Sequence, residues 1–157
     1  MLVIELTGED LKNLMNLLLK HATFDKFQVR GVEICTYTKF SISGILEKTY
    51  YPEAEREGIK RNYCLWSELR GHALEWIKGD RQPKALKIVF SPDEEATADI
   101  HGNAAALFLN LHYEDQLARF TTATSQKSFD LDKSLDQAWD EMIRKFFRKN
   151  FPKVNTG

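Results

Sequence analysis

Two amphipathic stripes stand at one constant offset along the chain: Leu11, Met15, Leu18 and Leu19 against Leu69, Ala73, Trp76 and Ile77. In the first, Leu14 joins them to give the i, i+3, i+4, i+7, i+8 spacing of a single buried helix face. Around each stripe the same order of elements recurs. A short strand, a capped helix and three strands run from residue 2 to about 50, and again from about 62 to 113. A helix with one apolar face must bury that face, and here alternating strand-forming segments surround it. A βαβββ unit used twice therefore predicts an α+β fold, with antiparallel sheets and the helices packed on one face.

The boundaries follow from local signals. Leu2–Leu6 reads as a strand, and Thr7 as a helix cap with Asp10 completing the capping-box spacing. Phe27–Val29, a turn at Arg30-Gly31 and Val32–Tyr37 read as a hairpin, followed by a third strand over Phe40–Leu46. Residues 51–58, with Pro52 and Gly58 near the ends, read as an exposed loop. Ser67 is the cap candidate for the second helix and Gly79 its stop, with Pro83 beyond. Leu86–Phe90 is a strand, Ser91–Glu95 a turn, Ala96–His101 a weaker strand and Gly102-Asn103 a tight turn. Ala105–Tyr113 alternates most clearly and turns at Glu114-Asp115 into a partner strand, Leu117–Thr124. The last element is a helix capped by Asp130 or Asp132. Leu135, Ala138, Trp139, Met142, Ile143 and Phe146 line one face, Phe147 lies off it, and the 155–157 tail is expected to fray. Trp66, Trp76 and Trp139 read as core anchors.

The doubled βαβββ order resembles one domain of the DNA sliding clamps, the ring-shaped processivity factors of replication. The stretches that carry the resemblance are Phe27-Gln-Val-Arg-Gly-Val-Glu-Ile and Phe40-Ser-Ile-Ser-Gly-Ile-Leu, which look like a glycine hairpin running into a further strand. The chain also resembles an uncharacterised bacterial domain-of-unknown-function family, to which no activity attaches. The clamp resemblance covers residues 1–113 of a single domain, 1–157. An extra strand and an amphipathic C-terminal helix, residues 114–157, have no counterpart in the clamp plan. It implies a non-enzymatic binding or scaffold module that self-associates through sheet edges and has a protein or DNA partner. The helices that would face DNA, 8–20 and 67–78, carry Lys12, Lys20, Arg70 and Lys78 against Glu9, Asp10, Glu68 and Glu75. That balance offers little attraction to a polyanion.

Composition narrows the remaining choices. Lys and Arg number 22 against 23 Asp and Glu, so net charge gives no reason to expect nucleic acid or a membrane surface. The N-terminus lacks a basic signal region, no apolar run reaches membrane length, and Cys35 and Cys64 read as free thiols of a reducing cytoplasm. No GxSxG, P-loop or GxGxxG occurs, and His21, His72, His101 and His112 lack metal-ligand spacing, so no cofactor or metal is expected. Two candidate sites remain. Arg144, Lys145, Phe147, Arg148 and Lys149 could meet a nucleic acid or a protein groove, although bases at a helix C-terminus also answer its dipole. Alternatively, loops 51–58 and 93–103 could form the site of a small-molecule-binding protein or a small hydrolase.

Overall fold

The computed structural model describes residues 1–77 and 81–157; the expected helix stop at Gly79 and the charge of Lys78 lie outside them. The described elements are β1 (Val3–Leu6), α1 (Gly8–Lys20), β2 (Gln28–Cys35), β3 (Lys39–Ser43), α2 (Glu53–Arg56), β4 (Cys64–Leu65), α3 (Trp66–Trp76), β5 (Ala85–Ser91), α4 (Glu94–Ile100), β6 (Ala104–Glu114), β7 (Leu117–Gln126) and α5 (Ser134–Asn150). The strands form one antiparallel seven-stranded sheet in the order β1-β7-β6-β5-β2-β3, with β4 pairing β2 off that path. The fold is α+β as expected, but the sheet is single and continuous.

The period-2 alternation of the strands builds the core row by row. Ile34, Leu86, Tyr113, Ala118 and Leu6 are register partners in turn across five strands, and all are buried. The neighbouring row, Val32, Ile88, Leu111, Phe120 and Ile4, is buried too. Between them Glu33, Lys87, His112, Arg119 and Glu5 form the intervening row on the opposite, polar face. Helices α1, α3 and α5 close the apolar face. Trp66 is fully buried and donates its indole N–H to the Leu18 carbonyl (2.8 Å), tying α3 to α1. Phe24, just after α1, is the aromatic hub, with ring centroids 5.3 Å from Phe90, 5.2 Å from Phe146 and 6.0 Å from Phe120. Asp140 and Asp136 on α5 accept hydrogen bonds from the Thr122 and Thr124 hydroxyls of β7.

Several local expectations change. The hairpin at Arg30-Gly31 does not form: β2 runs unbroken from 28 to 35, with a bulge between Val29 and Gly31. Gly31 reads as a turn in isolation, yet Ser43 on one side and Val89 on the other hold it extended. With that hairpin lost and Ala96–His101 helical, each unit has two strands after its helix, β2 and β3 in the first and β5 and β6 in the second, so the doubled βαβββ plan is not met. Ala96–His101 is helical, not a strand, because the Asp93 carboxylate caps the Ala96 N–H (2.7 Å) and Glu94 and Glu95 fill the first turn. Thr7 makes no side-chain cap bond, and Ser67 lies inside α3. There Glu68 instead accepts the Leu65 N–H (2.8 Å). On α5 the buried face is Leu135, Trp139, Ile143 and Phe147, while Met142 is exposed. Trp76 is only partly buried and stacks on Phe40 with centroids 4.9 Å apart. The C-terminal tail is held where Arg144 donates to the Thr156 carbonyl (3.2 Å).

At Arg30 the neighbour on one edge of β2 changes from β3 to β4. Gly44 sits at this junction, its N–H donating to the Arg30 carbonyl (3.0 Å) and its carbonyl accepting from the Cys64 N–H (2.7 Å). A Cβ at Gly44 would overlap the Val29 carbonyl and lie 2.7 Å from the Arg30 carbonyl carbon, both rigid backbone. Gly44→Ala is therefore expected to lower unfolding stability in urea by about 3 kcal/mol. Gly102→Ala, whose added Cβ meets nothing within 4 Å, should change it by no more than about 0.5 kcal/mol. Equal, small effects at both positions would show that the β3–β4 junction is looser than described.

Candidate functional site

The β2 bulge places Gln28 and Arg30 at the meeting point of three segments: residues 58–65, the start of α4 and the start of β6. Gln28 pairs with Leu65 on one side and Ser91 on the other, which leaves it 4% exposed. Its side chain makes no hydrogen bond to another described residue, and its amide keeps contact with solvent: among the described residues only Thr36 Oγ1 is both shut away from solvent and unpartnered. Gln28 lines two adjoining clefts. The larger, about 610 Å³, is walled by Gly58–Arg61, Leu65 and Asp93–Glu95. The smaller, about 310 Å³, is walled by Arg30, Tyr63, Pro92, Thr97, Ala98 and the Ala104–Ala106 stretch, with Lys127 at its edge. Glu94 borders both. Of the 51–58 loop only Gly58 reaches these walls, where it meets Asp93–Glu95 from the start of the 93–103 segment.

The walls are braced. Arg61 forks onto Glu68 (2.8 Å through Nη2) and also donates to the Tyr63 carbonyl (3.1 Å). Asn62 donates to Glu94 across the larger cleft (3.3 Å) and accepts from Lys48 (2.9 Å). Arg30 donates through Nε to the Ser91 hydroxyl (3.2 Å) and through Nη1 to the Tyr63 hydroxyl (2.9 Å). Its guanidinium carbon sits 3.9 Å above the Tyr63 ring centre and 5.2 Å from that of Phe108.

Ser134 and His101 do not make a nucleophile–base pair. Ser134 lies 2.9 Å from His101 Nε2, but His101 Nδ1 accepts the Asn103 N–H (3.0 Å). In the neutral ring the proton therefore sits on Nε2, which donates to Ser134, and the serine hydroxyl donates to Asp132 (3.1 Å). An imidazole that gives the serine a hydrogen bond is not its base. Burial pushes the Cys64 thiol above its ordinary pKa, so it is poor in thiolate. Among the described residues no three His, Cys, Asp or Glu side chains converge to hold a metal ion. No described helix is long and apolar enough to cross a membrane.

The C-terminal set does not converge. Phe147 is 0% exposed, packed on Phe120 (4.9 Å) and Phe151 (5.2 Å), so it belongs to the core and cannot meet a partner. Four residues separate it from Ile143 and eight from Trp139, which puts it on the buried stripe after all. Arg144 and Arg148 both pair with Glu141, at 3.8 and 3.3 Å. Lys145 and Lys149 are exposed, and Lys149 borders a separate depression with Phe27 and Phe146. Gln28 and Arg30 carry no signal as site residues in the sequence, where they read as strand and turn residues; the bulge that sets them beside the clefts has no local sequence signature beyond Gly31.

Hydrogen bonds from Arg61, helped by the Leu65 N–H and opposed by burial, hold the Glu68 carboxyl below its ordinary pKa. A lowered folded-state pKa stabilises fully above the unfolded value near 4.3 and is lost as pH falls through the folded one. With both side chains partly exposed, at 26% and 38%, the contribution is screened to about 0.5 kcal/mol. Urea unfolding of wild type and Glu68→Gln should therefore differ by that amount at pH 6 and converge as the pH falls below the ordinary carboxylate range. A gap that is constant with pH would show that the pair does not carry it.

A family model for a family of unknown function, DUF5721, matches residues 17–153, and the chain belongs to that family. No curated protein and no solved structure matches it, so the sliding-clamp resemblance has no structural neighbour behind it.

Proposed function

We propose that this protein is a non-enzymatic binding module whose ligand is a small molecule seated in the paired clefts around Gln28. The observation that carries the reading is Gln28, a residue only 4% exposed that lines both clefts and whose side chain makes no hydrogen bond within the described chain. An amide that opens onto a cleft and is not tied to the chain can exchange its water for hydrogen bonds to a ligand. The braced walls support it, because a pre-formed site loses less entropy when it binds.

The DNA-clamp reading draws less support from the described charges. On α1 and α3, Lys12 pairs with Glu9 and Arg70 with Asp25 at 2.8 Å, which leaves little net positive potential on that face. The sheet ends in β1 and β3, four and five residues long, and short edges limit pairing with a second copy.

Replacing an unpartnered amide by an apolar side chain of similar size separates a functional role from a structural one. Gln28→Met is expected to leave urea stability unchanged or to raise it by up to about 1 kcal/mol. In a fragment soak of crystals of the intact chain, wild type should hold fragments with a polar atom against Gln28, and the variant should hold none there. A loss above about 2 kcal/mol in Gln28→Met would mark the amide as structural and sink the reading.

A further inference from the structure

We propose that the smaller cleft receives an oxyanion, the carboxylate or phosphoryl end of a compact organic molecule, with Arg30 as its receptor. The inference rests on the reading of these clefts as a ligand seat and assigns the chemistry of the ligand. Arg30 is partly buried and has no carboxylate within ion-pair distance among the described residues, unlike Arg61, Arg70, Arg119, Arg144 and Arg148. A guanidinium cannot discharge itself by losing a proton, so burial leaves its charge to be met by something else. Two neutral hydroxyls and two aromatic rings hold its position and offset part of the desolvation, but none of them carries negative charge. Of its five N–H donors, those on Nη2 make no hydrogen bond to another described residue.

The surroundings are arranged for an anion of limited size. Beside Arg30, the Gln28 amide offers N–H donors that a carboxylate or phosphoryl oxygen can accept. At the edge Glu94 and Lys127 are exposed and opposite in sign, so the inner charge is that of Arg30. Ala98 and Ala104–Ala106 give the remaining wall an apolar, small-residue surface suited to a short carbon skeleton or one ring. A cleft of about 310 Å³ admits that much and no duplex or folded partner.

Titration of the full-length, isotope-labelled chain with benzoate, phenyl phosphate and neutral benzyl alcohol, followed by NMR, tests this. Either anion is expected to shift both the Arg30 Nε–Hε and the Gln28 side-chain amide resonances, with affinity falling as salt rises. Arg30→Gln should weaken that binding about tenfold or more, while Arg30→Lys, which keeps the charge, should weaken it less. Because the wild-type titration is decisive alone, a variant that fails to fold does not shield the proposal. If benzyl alcohol shifts Gln28 as strongly as benzoate and salt has no effect, the anion assignment falls and the cleft reading stands. If no probe moves either resonance up to tens of millimolar, both fall.

Discussion

Strand β2 cannot keep one neighbour along its whole length, and much of the molecule is arranged around that fact. One edge is paired throughout with β5, across the Val29/Gly31 bulge; the other is shared between β3 for residues 31–35 and β4 for 28–29. Two strands can meet end to end on one edge only if the chain between them comes in very close, and Gly44 makes that approach, its Cβ-less backbone lying against Val29 and Arg30. The bulge absorbs the mismatch in register, as bulges do, by turning a side chain away from regular alternation. Arg30 is the residue so turned, and Gln28 is the one left enclosed beside it. The cleft is thus a consequence of how the sheet is sutured.

A rigid frame is needed for such a suture to hold. It comes from aromatic packing on the covered face, where Phe24 gathers rings from β5, β7 and α5 around one point. Trp66 and Trp139 each spend their single donor on a backbone carbonyl, Leu18 in α1 and Phe108 in β6, which fixes the helices to definite places. The bracing of residues 61–65 by Glu68 extends this frame to the wall of the larger cleft. Packing sets the framework and polar bonds locate the loops on it.

What the sequence made legible and what it hid divide along physical lines. α1, the β6–β7 hairpin and α5 were readable because each is long, strongly periodic and held mainly by its own pattern. The β2 hairpin was misread because a glycine in a strand and a glycine in a turn look alike until the neighbours Ser43 and Val89 are known. α4 was misread because Ala96–Ile100 has weak periodicity, and the decisive signal was the cap at Asp93, upstream of the expected strand. Phe147 seemed to leave the apolar stripe because Met142 and Phe146 drew the stripe's centre to one side, whereas the buried line runs through every fourth residue from Leu135. The sequence points to loops 51–58 and 93–103, whereas the wall that meets Asp93–Glu95 runs from Gly58 to Arg61; Gln28 and Arg30 beside it carry no local signal, since both gain their character only from the bulge.

Charge placement then separates the two surfaces that could matter. On the helices and on the open sheet face, several described cations have an acid within reach: Lys12 with Glu9, Arg70 with Asp25, Arg119 with Glu5, Arg148 with Glu141. Exposed pairs of this kind contribute little to stability, but they cancel the field that a polyanion would follow. Arg30 has no acid within reach and is partly buried in a neutral cradle already built. A positive charge held by two hydroxyls between two rings is costly if nothing ever meets it and useful if an oxyanion does. The same sheet junction that requires a glycine at position 44 therefore sets a partly buried cation without an acid partner beside an open cleft.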